Sequence, residues 1–424
     1  MRDAIVTAIV IGSLPFCFAR PWIGILVWSW LGYMNPHRLT WGFALNMPFS
    51  QMVATATLAG LPFDRDRHPL PQALPVFLLA ALWVTFVLST SFAAINPEDA
   101  WGQLSEVSKI LLMTFLTLIL FQDRQRLRWL AVVIALSIGF YGAKAGMWTV
   151  LTGSHGRVWG PPGTFIGDNN DLALALNMVL PLFIFLRRDE TRPWVRHGLL
   201  AAFFLSIVGV LMTYSRGGFL GLAVVLLLVL LKERSKVTAL LLLALAAPLV
   251  VSMLPEEWFA RMDTIADYQQ DGAANARFTA WKVAWGLAVD HPLLGAGFKP
   301  FTTESYQRYA PGYKQRRDAH SIIFQMLAEQ GFLGLGLFIA LIATTLVALR
   351  RLIRHFKVDP KYAWIHDWAQ MLEASFAGYL VSGLFVGRAY FDLFYHLVAM
   401  TIILSGLAQT ANGKSKHALR KIYV

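Results

Sequence analysis

A histidine in this sequence follows a basic run and heads an apolar stretch. Lys314, Arg316, Arg317 and Asp318 precede His320, and Ser321-Ile322-Ile323-Phe324 follow it. Neutral imidazole is the usual general base, and neighbouring cations lower its pKa and keep it neutral. The plainer reading is a histidine at a membrane boundary. Arg216 stands in Tyr214-Ser215-Arg216-Gly217-Gly218, between two apolar blocks. An arginine there is costly unless it meets an anion or a water-filled cavity. Otherwise it snorkels to a lipid phosphate. The same two readings apply to Arg388, in Gly387-Arg388-Ala389-Tyr390, and to Lys144, in Gly142-Ala143-Lys144-Ala145-Gly146. Arg157 lies in a glycine-rich loop, 153–167, that leads into Asp168-Asn169-Asn170-Asp171. That stretch reads as a capped helix N-terminus, which is also an anion site. Asn170 belongs to it, and Lys299 joins the set by charge placement. Arg277, Trp281 and Trp285 fall at i, i+4 and i+8 on one amphipathic helix over 277–289. The two tryptophans suit a membrane interface. Pro292, Gly295 and Gly297 end the helix.

These residues need a scaffold, and composition names it. The chain has 424 residues, 56% hydrophobic and only 15% charged. An average soluble domain is nearer ~25% charged. The apolar residues come in blocks rather than stripes, as bilayer spans do. The net charge of +12 does not point to nucleic acid, because the cations sit at block ends. Membrane lipids with anionic head groups and an anionic substrate are the expected partners. The single cysteine, Cys17, excludes an intrachain disulfide and a cysteine zinc site. No P-loop or His-Glu-x-x-His is present, and no metal or cofactor is expected. Asp64-Arg65-Asp66 resembles a metal motif of some glycosyltransferases but lies in a basic loop and is read as chance.

Twelve apolar blocks are expected to span the membrane: 4–33, 41–60, 74–92, 107–121, 129–150, 169–186, 197–213, 217–231, 237–253, 320–349, 370–386 and 392–409. The first is broken by Pro15 and Pro21 and is long enough for two short helices. Basic clusters at Arg65 and Arg67, at Arg124, Arg126 and Arg128, at Arg187, Arg188, Arg192 and Arg196, at Lys232, Arg234 and Lys236, at Arg350, Arg351, Arg354, Lys357 and Lys361, and in the tail at 414–421 fall on one side. The positive-inside rule makes that side cytoplasmic, with both termini. The opposite side receives 254–319, a large loop of two or three helices. The domains are therefore spans 1–9 over 1–253, the loop over 254–319, spans 10–12 over 320–409 and a tail over 410–424. The first block lacks a cleavage site and is read as a retained span.

Four motifs together resemble the bacterial O-antigen ligase and polymerase superfamily. They are Gly163-Thr164-Phe165 with Asn170; Tyr214 through Gly218; Arg277-Phe278-Thr279-Ala280-Trp281 with His291 through Phe298; and His320 continuing to Glu329-Gln330-Gly331-Phe332-Leu333-Gly334. The first 150 residues look most like the ligase subset found beside exosortase systems. The resemblance implies an all-α, GT-C-like transferase of the bacterial inner membrane with its active site in the periplasm. It implies an undecaprenyl-diphosphate-linked glycan as donor and lipid A-core oligosaccharide as acceptor, in an inverting, metal-independent transfer. It places catalytic roles on His320, Arg277 and Arg216. Arg157, Lys144, Arg388, Lys299 and Asn170 are expected to bind the diphosphate or substrate.

Three other readings remain open at this level. A polymerase would join the same repeat units to one another. A ligase could act on a protein or another polysaccharide. A transporter of lipid-linked glycan would also place cations inside a bundle.

Overall fold

A computed structural model describes residues 1–153, 156–233, 235–252, 254–263, 272–313, 315–357 and 360–411. Arg234, Lys314 and the basic tail at 414–421 lie outside the described residues. Within the described residues every long element is an α-helix: α1 (Arg2–Ala19), α2 (Pro21–Met34), α3 (Phe49–Gly60), α4 (Leu74–Phe92), α5 (Pro97–Leu120), α6 (Arg124–Thr152), α7 (Asn169–Asp189), α8 (Pro193–Leu211), α9 (Arg216–Lys232), α10 (Lys236–Ser252), α11 (Glu256–Asp263), α12 (Gly272–Asp290), α13 (Thr303–Tyr309), α14 (Ile322–His355), α15 (Ala363–Gly383) and α16 (Asp392–Ala411). Eight of them, α1, α4, α5, α6, α7, α8, α14 and α16, are long and apolar enough to cross a membrane by length and composition. The chain is an all-α integral membrane protein.

The centre is α7. It is apolar on nearly all sides, as a helix surrounded by protein must be, and α6, α8, α9 and α15 pack around it. Close approach comes from small residues, which drive helix association where lipid removes the hydrophobic incentive. A Cβ on Gly218 would stand 2.5 Å from the Ala173 Cβ, and one on Gly378 would stand 2.8 Å from the Asn177 carbonyl oxygen. Buried Asn177 then donates from Nδ2 to the Gly218 carbonyl (2.8 Å) and to Ser382 Oγ (3.0 Å), tying α7 to α9 and α15.

The helix ends sort by charge. At one end, Arg126 pairs with Asp66 and Asp123, Arg128 with Asp189 and Glu190, Arg188 with Glu233 and Asp367, and Lys232 and Arg350 share Glu373. Asp66, half of the Asp-x-Asp match, is thus an ion-pair partner. The other end carries His320, Arg216 and Arg388.

The first apolar block departs from its expected path. Arg20 adopts an extended backbone (φ −138°), Pro21 starts a new helix without an N–H to donate, and the block becomes two antiparallel helices. At the turn, Gly60 of α3 packs on the Phe18 carbonyl and Arg126 stacks over Trp22. At the far side, Asp3 accepts from the Gly42 and Ala44 amides (3.0 and 3.1 Å). The extra crossing puts Arg2 at the His320 end, whereas Ala411 sits at the basic end, where Tyr362 hydrogen-bonds its carbonyl. The fold-back thus sets Arg2 and Ala411 at different ends of the bundle, and the tail beyond Ala411 lies outside the described residues.

The 254–319 loop holds α11, α12 and α13 among its described residues. It enters the bundle through a break in α14. Gly331 has φ 66° and ψ −168°, a conformation open essentially to glycine alone. The break lets the Phe332 amide reach the Pro292 carbonyl (2.8 Å) and the Ala296 and Gly297 amides reach the Ala328 and Glu329 carbonyls (2.9 and 3.1 Å). A Cβ at Gly331 would meet the Gly295 amide at 2.6 Å and the Leu293 carbonyl at 2.7 Å. Gly331→Ala is therefore expected to destabilise the protein by about 2–4 kcal/mol, from combined strain and overpacking. Thermal unfolding in detergent checks this, and an unchanged midpoint would contradict it.

Candidate active site

His320 does not begin a helix; α14 starts two residues later, at Ile322. The histidine instead adopts a left-handed backbone, φ 44°. Its neighbours impose this. Trp281 of α12 donates from Nε1 to the Ala319 carbonyl (2.8 Å) and stacks on Phe324 (centroids 4.7 Å, planes 10° apart). Tyr306 of α13 donates to the Arg317 carbonyl (2.6 Å) and accepts from the Arg317 amide (3.1 Å). On the opposite side Gly387 lies against the His320 backbone, with its Cβ direction 3.6 Å from the His320 nitrogen. The amphipathic helix expected over 277–289 exists, but Trp281 faces this loop rather than lipid.

Arg277 sits one turn before Trp281 and so faces His320. Burial first, and the Arg277 charge second, push the imidazole below its ordinary range. Arg317 adds to this, while Asp318 and Asp168 oppose it. The ring is neutral at neutral pH and able to accept a proton.

The second group forms where three helix ends meet. Asp168 caps α7, accepting from the Asn170 amide (2.8 Å). Ser215 caps α9, accepting from the Gly218 amide (3.0 Å), and donates to Asn170 Oδ1 (2.7 Å). Two positive helix termini therefore converge beside Arg216, the first residue of α9. Arg157 stacks over Tyr214 (5.5 Å), next to the same turn. Gly217 packs on Phe385, with 2.7 Å between its Cβ direction and the Phe385 Cβ, and this leads the chain toward Arg388. Arg388 forms an ion pair with Asp171, a first-turn residue of α7.

Three contiguous spaces open at this end, bordered among these residues by Arg388 and His320. A groove of about 770 Å³ is walled by α2, α3 and α5, apolar at Leu58, Ala54 and Met113 and polar at Arg38, Lys109 and Arg388. A small cavity of about 150 Å³ shares Arg388 and Phe165 with it and adds Lys299, Asp318 and Glu329. A third space, about 350 Å³, shares Phe301 and Asp318 with the cavity and is lined by Arg316, Arg317 and His320. Among the described residues, the four non-glycine positions with positive φ are Asn35, Tyr214, Lys299 and His320, and all lie at this end. Such backbones cost about 1–3 kcal/mol each and cluster at functional sites.

The structure gathers His320, Arg277, Arg216, Arg157, Asn170, Lys299 and Arg388 at one end. It does not bring Lys144 to these spaces. That lysine borders a separate cavity with Arg2, Val6 and Leu39, formed because α1 folds back beside α6. The sequence reading gave no role to Asp171, Gln103, Gln325 or Glu329. Glu329, an acid inside a membrane helix, carried a signal that charge counting of cations passed over. Among the described residues, no cluster of three or more His, Cys, Asp or Glu side chains is arranged to hold a metal ion.

Residues 201–339 match the family described as O-antigen ligase. The chain carries an O-antigen ligase domain. Arg216, Arg277, Lys299 and His320 all fall inside the matched residues, and the match supports an activity of the O-antigen ligase type in general terms. Residues 1–191 match a second family, described as one of unknown function (DUF5935). No curated protein matches the chain. The O-antigen ligase domain does not hold the whole site. Asp168, Asn170 and Asp171 come from the first segment, and Arg388 lies beyond residue 339.

Asp171→Asn leaves Arg388 without its counter-charge. A fully buried pair would lose ~3–5 kcal/mol. Arg388 is partly open to the cavity, so about 1–3 kcal/mol is expected, and Asp171→Asn with Arg388→Gln should recover part of it. Unfolding of the two single variants and the double variant measures the coupling; strict additivity would refute the pair.

Proposed function

We propose that this protein transfers a glycan from undecaprenyl diphosphate to a hydroxyl of lipid A-core oligosaccharide. One observation supports the reading: a neutral imidazole, set among cations, connected through the small cavity to a partly apolar groove of about 770 Å³. The acceptor hydroxyl loses its proton to His320 as it attacks the anomeric carbon, and the diphosphate leaves from the opposite face. Arg277, Arg216 and Arg157 neutralise the charge growing on the leaving diphosphate, since a guanidinium holds phosphate oxygens bidentately. The convergent ends of α7 and α9 add to the field. Losing one such preorganised donor typically costs ~10²–10³-fold in rate, and base catalysis contributes ~10²–10⁴-fold. The product is inverted at the anomeric carbon.

The 770 Å³ groove suits the polyprenyl tail, with Arg38 and Lys109 at its polar mouth. Arg38 lies against Gly163, 3.7 Å from its Cβ direction, so the glycine-rich loop closes the head of the groove. The basic clusters at the other end favour a bacterial inner-membrane orientation with the site in the periplasm. In that orientation the N-terminus is periplasmic and the end of α16 cytoplasmic.

Reconstituted protein with undecaprenyl-diphosphate-linked glycan and rough lipopolysaccharide should give a ladder in the presence of EDTA. His320→Ala should lose at least 10²-fold. Chain growth without the acceptor would replace the ligase reading with polymerisation, and a retained anomeric configuration would exclude direct displacement.

The depressed His320 pKa sets a pH dependence. The rate should be flat around neutrality and fall only as pH drops through a value below imidazole's usual ~6.5. The proton is bound more readily in the unfolded chain, so His320 also favours the folded state above the unfolded value and loses that contribution on acidification. A pH–rate profile with its acidic limb above 7 would contradict the assignment.

A further inference from the structure

Glu329 is 4% exposed, lies one turn into the protein from Gln325, and borders the 150 Å³ cavity. Its Oε2 is buried without a hydrogen-bond partner. A buried acceptor left unsatisfied is costly, and native proteins reserve such groups for a ligand or a water. The break at Gly331 and the 292–297 turn fix its backbone, because Ser89 Oγ and the Gly297 amide both donate to its carbonyl (2.9 and 3.1 Å). The backbone that carries the carboxyl is therefore fixed.

The cavity's remaining lining has a recognisable chemistry. Gln103 and Gln325 offer amides, Asp318 a second carboxylate, and Phe165 and Phe301 aromatic rings. Of its two cations, Arg388 is already paired with Asp171. A diphosphate here would face the Asp318 and Glu329 carboxyls directly. The neighbouring space with Arg316, Arg317 and His320 suits a phosphate better. Hydroxyl groups, by contrast, donate to carboxylates and exchange hydrogen bonds with amides, while ring C–H faces pack on aromatic side chains. At 150 Å³ the cavity suits one ring rather than a lipid tail.

We propose that this cavity is a pyranose subsite, in which Glu329 accepts a hydrogen bond from a sugar hydroxyl and Gln103 and Gln325 bind its neighbours. The subsite orients one sugar of the transfer beside His320, and this assignment rests on the glycan-transfer reading above. The ring belongs either to the acceptor or to the first sugar of the donor, and the two are separable.

The test uses the full-length protein in detergent with Glu329→Gln and Gln103→Ala. Initial transfer rates are taken against rough lipopolysaccharide and, separately, against undecaprenyl-diphosphate-linked O-antigen glycan. Glu329→Gln should raise one KM by about 10–100-fold, the effect of losing a hydrogen bond to a charged group, with kcat within about threefold. A raised acceptor KM places the acceptor sugar in the cavity; a raised donor KM places the donor sugar there. Gln103→Ala should raise the same KM by about 3–10-fold, and it decides the matter if Glu329→Gln does not fold. A loss confined to kcat, or no change in either KM, overturns the proposal. Calorimetric binding of core oligosaccharide, released from lipopolysaccharide by mild acid, and of the donor gives a readout independent of transfer. Wild type that binds one of them at least tenfold more tightly than the variants, yet transfers nothing, would sink the transfer reading and keep the sugar subsite. Wild type and variants that transfer and bind alike would keep the reading and show that Glu329 faces only water.

Discussion

A backbone in hydrocarbon has no water to bond to, so it must be helical unless protein or a wet cavity surrounds it. This constraint arranges the molecule. While shorter links and 61–73 close the basic end, irregular segments at 35–48, 160–168, 212–215, 291–302, 315–321, the Gly331 break and 384–391 gather around the His320 end of the bundle. Each finds its partners there: Val158 on Met212, Ile95 on Ala296, Phe332 on Pro292 and Ala389 on Gln325. The non-helical chain that makes a site possible is affordable only where several such pieces satisfy one another.

That mutual satisfaction explains why the site has three owners along the sequence. The ligase-type segment brings the histidine and most of the arginines. The N-terminal segment brings the capped start of α7, the groove walls and the loop that closes them. The last two helices bring Arg388 and the residue, Gly387, whose lack of a side chain lets the chain pass against His320. A candidate site divided in this way draws on the N-terminal segment as well as the ligase-type one. In the function proposed above, the walls that the N-terminal segment supplies face the space for the donor's lipid portion.

Much of this was legible from residue types alone. Apolar blocks located nearly every long helix, because bilayer thickness and composition leave little freedom. Charge placement singled out Arg216 and Arg388, and helix spacing singled out Arg277, because an intramembrane or boundary cation is costly to keep; the structure sets all three at the His320 end. Two kinds of information were not legible. The Arg20-Pro21 turn divides one apolar block, and composition cannot see a turn whose flanks are both apolar. Lys144 has the same small-residue flanks as a cavity-lining cation, yet the position of α1 decides which cavity it meets. The Asp171 and Glu329 roles likewise depend on long-range partners: Arg388, 217 residues away, and Ser89, 240 residues away.

The fold-back of α1 has a practical side. Arg2 and Ala411 stand at opposite ends of the bundle, and α1 packs on little but α2 and α3. Its outward side is apolar, with Ile5, Ile9 and Phe16 all exposed to what would be lipid. In the orientation proposed above, a tag or reporter joined ahead of Met1 and one joined after α16 would report from different compartments, and a tag chosen for the cytoplasm at one terminus would be in the wrong place at the other.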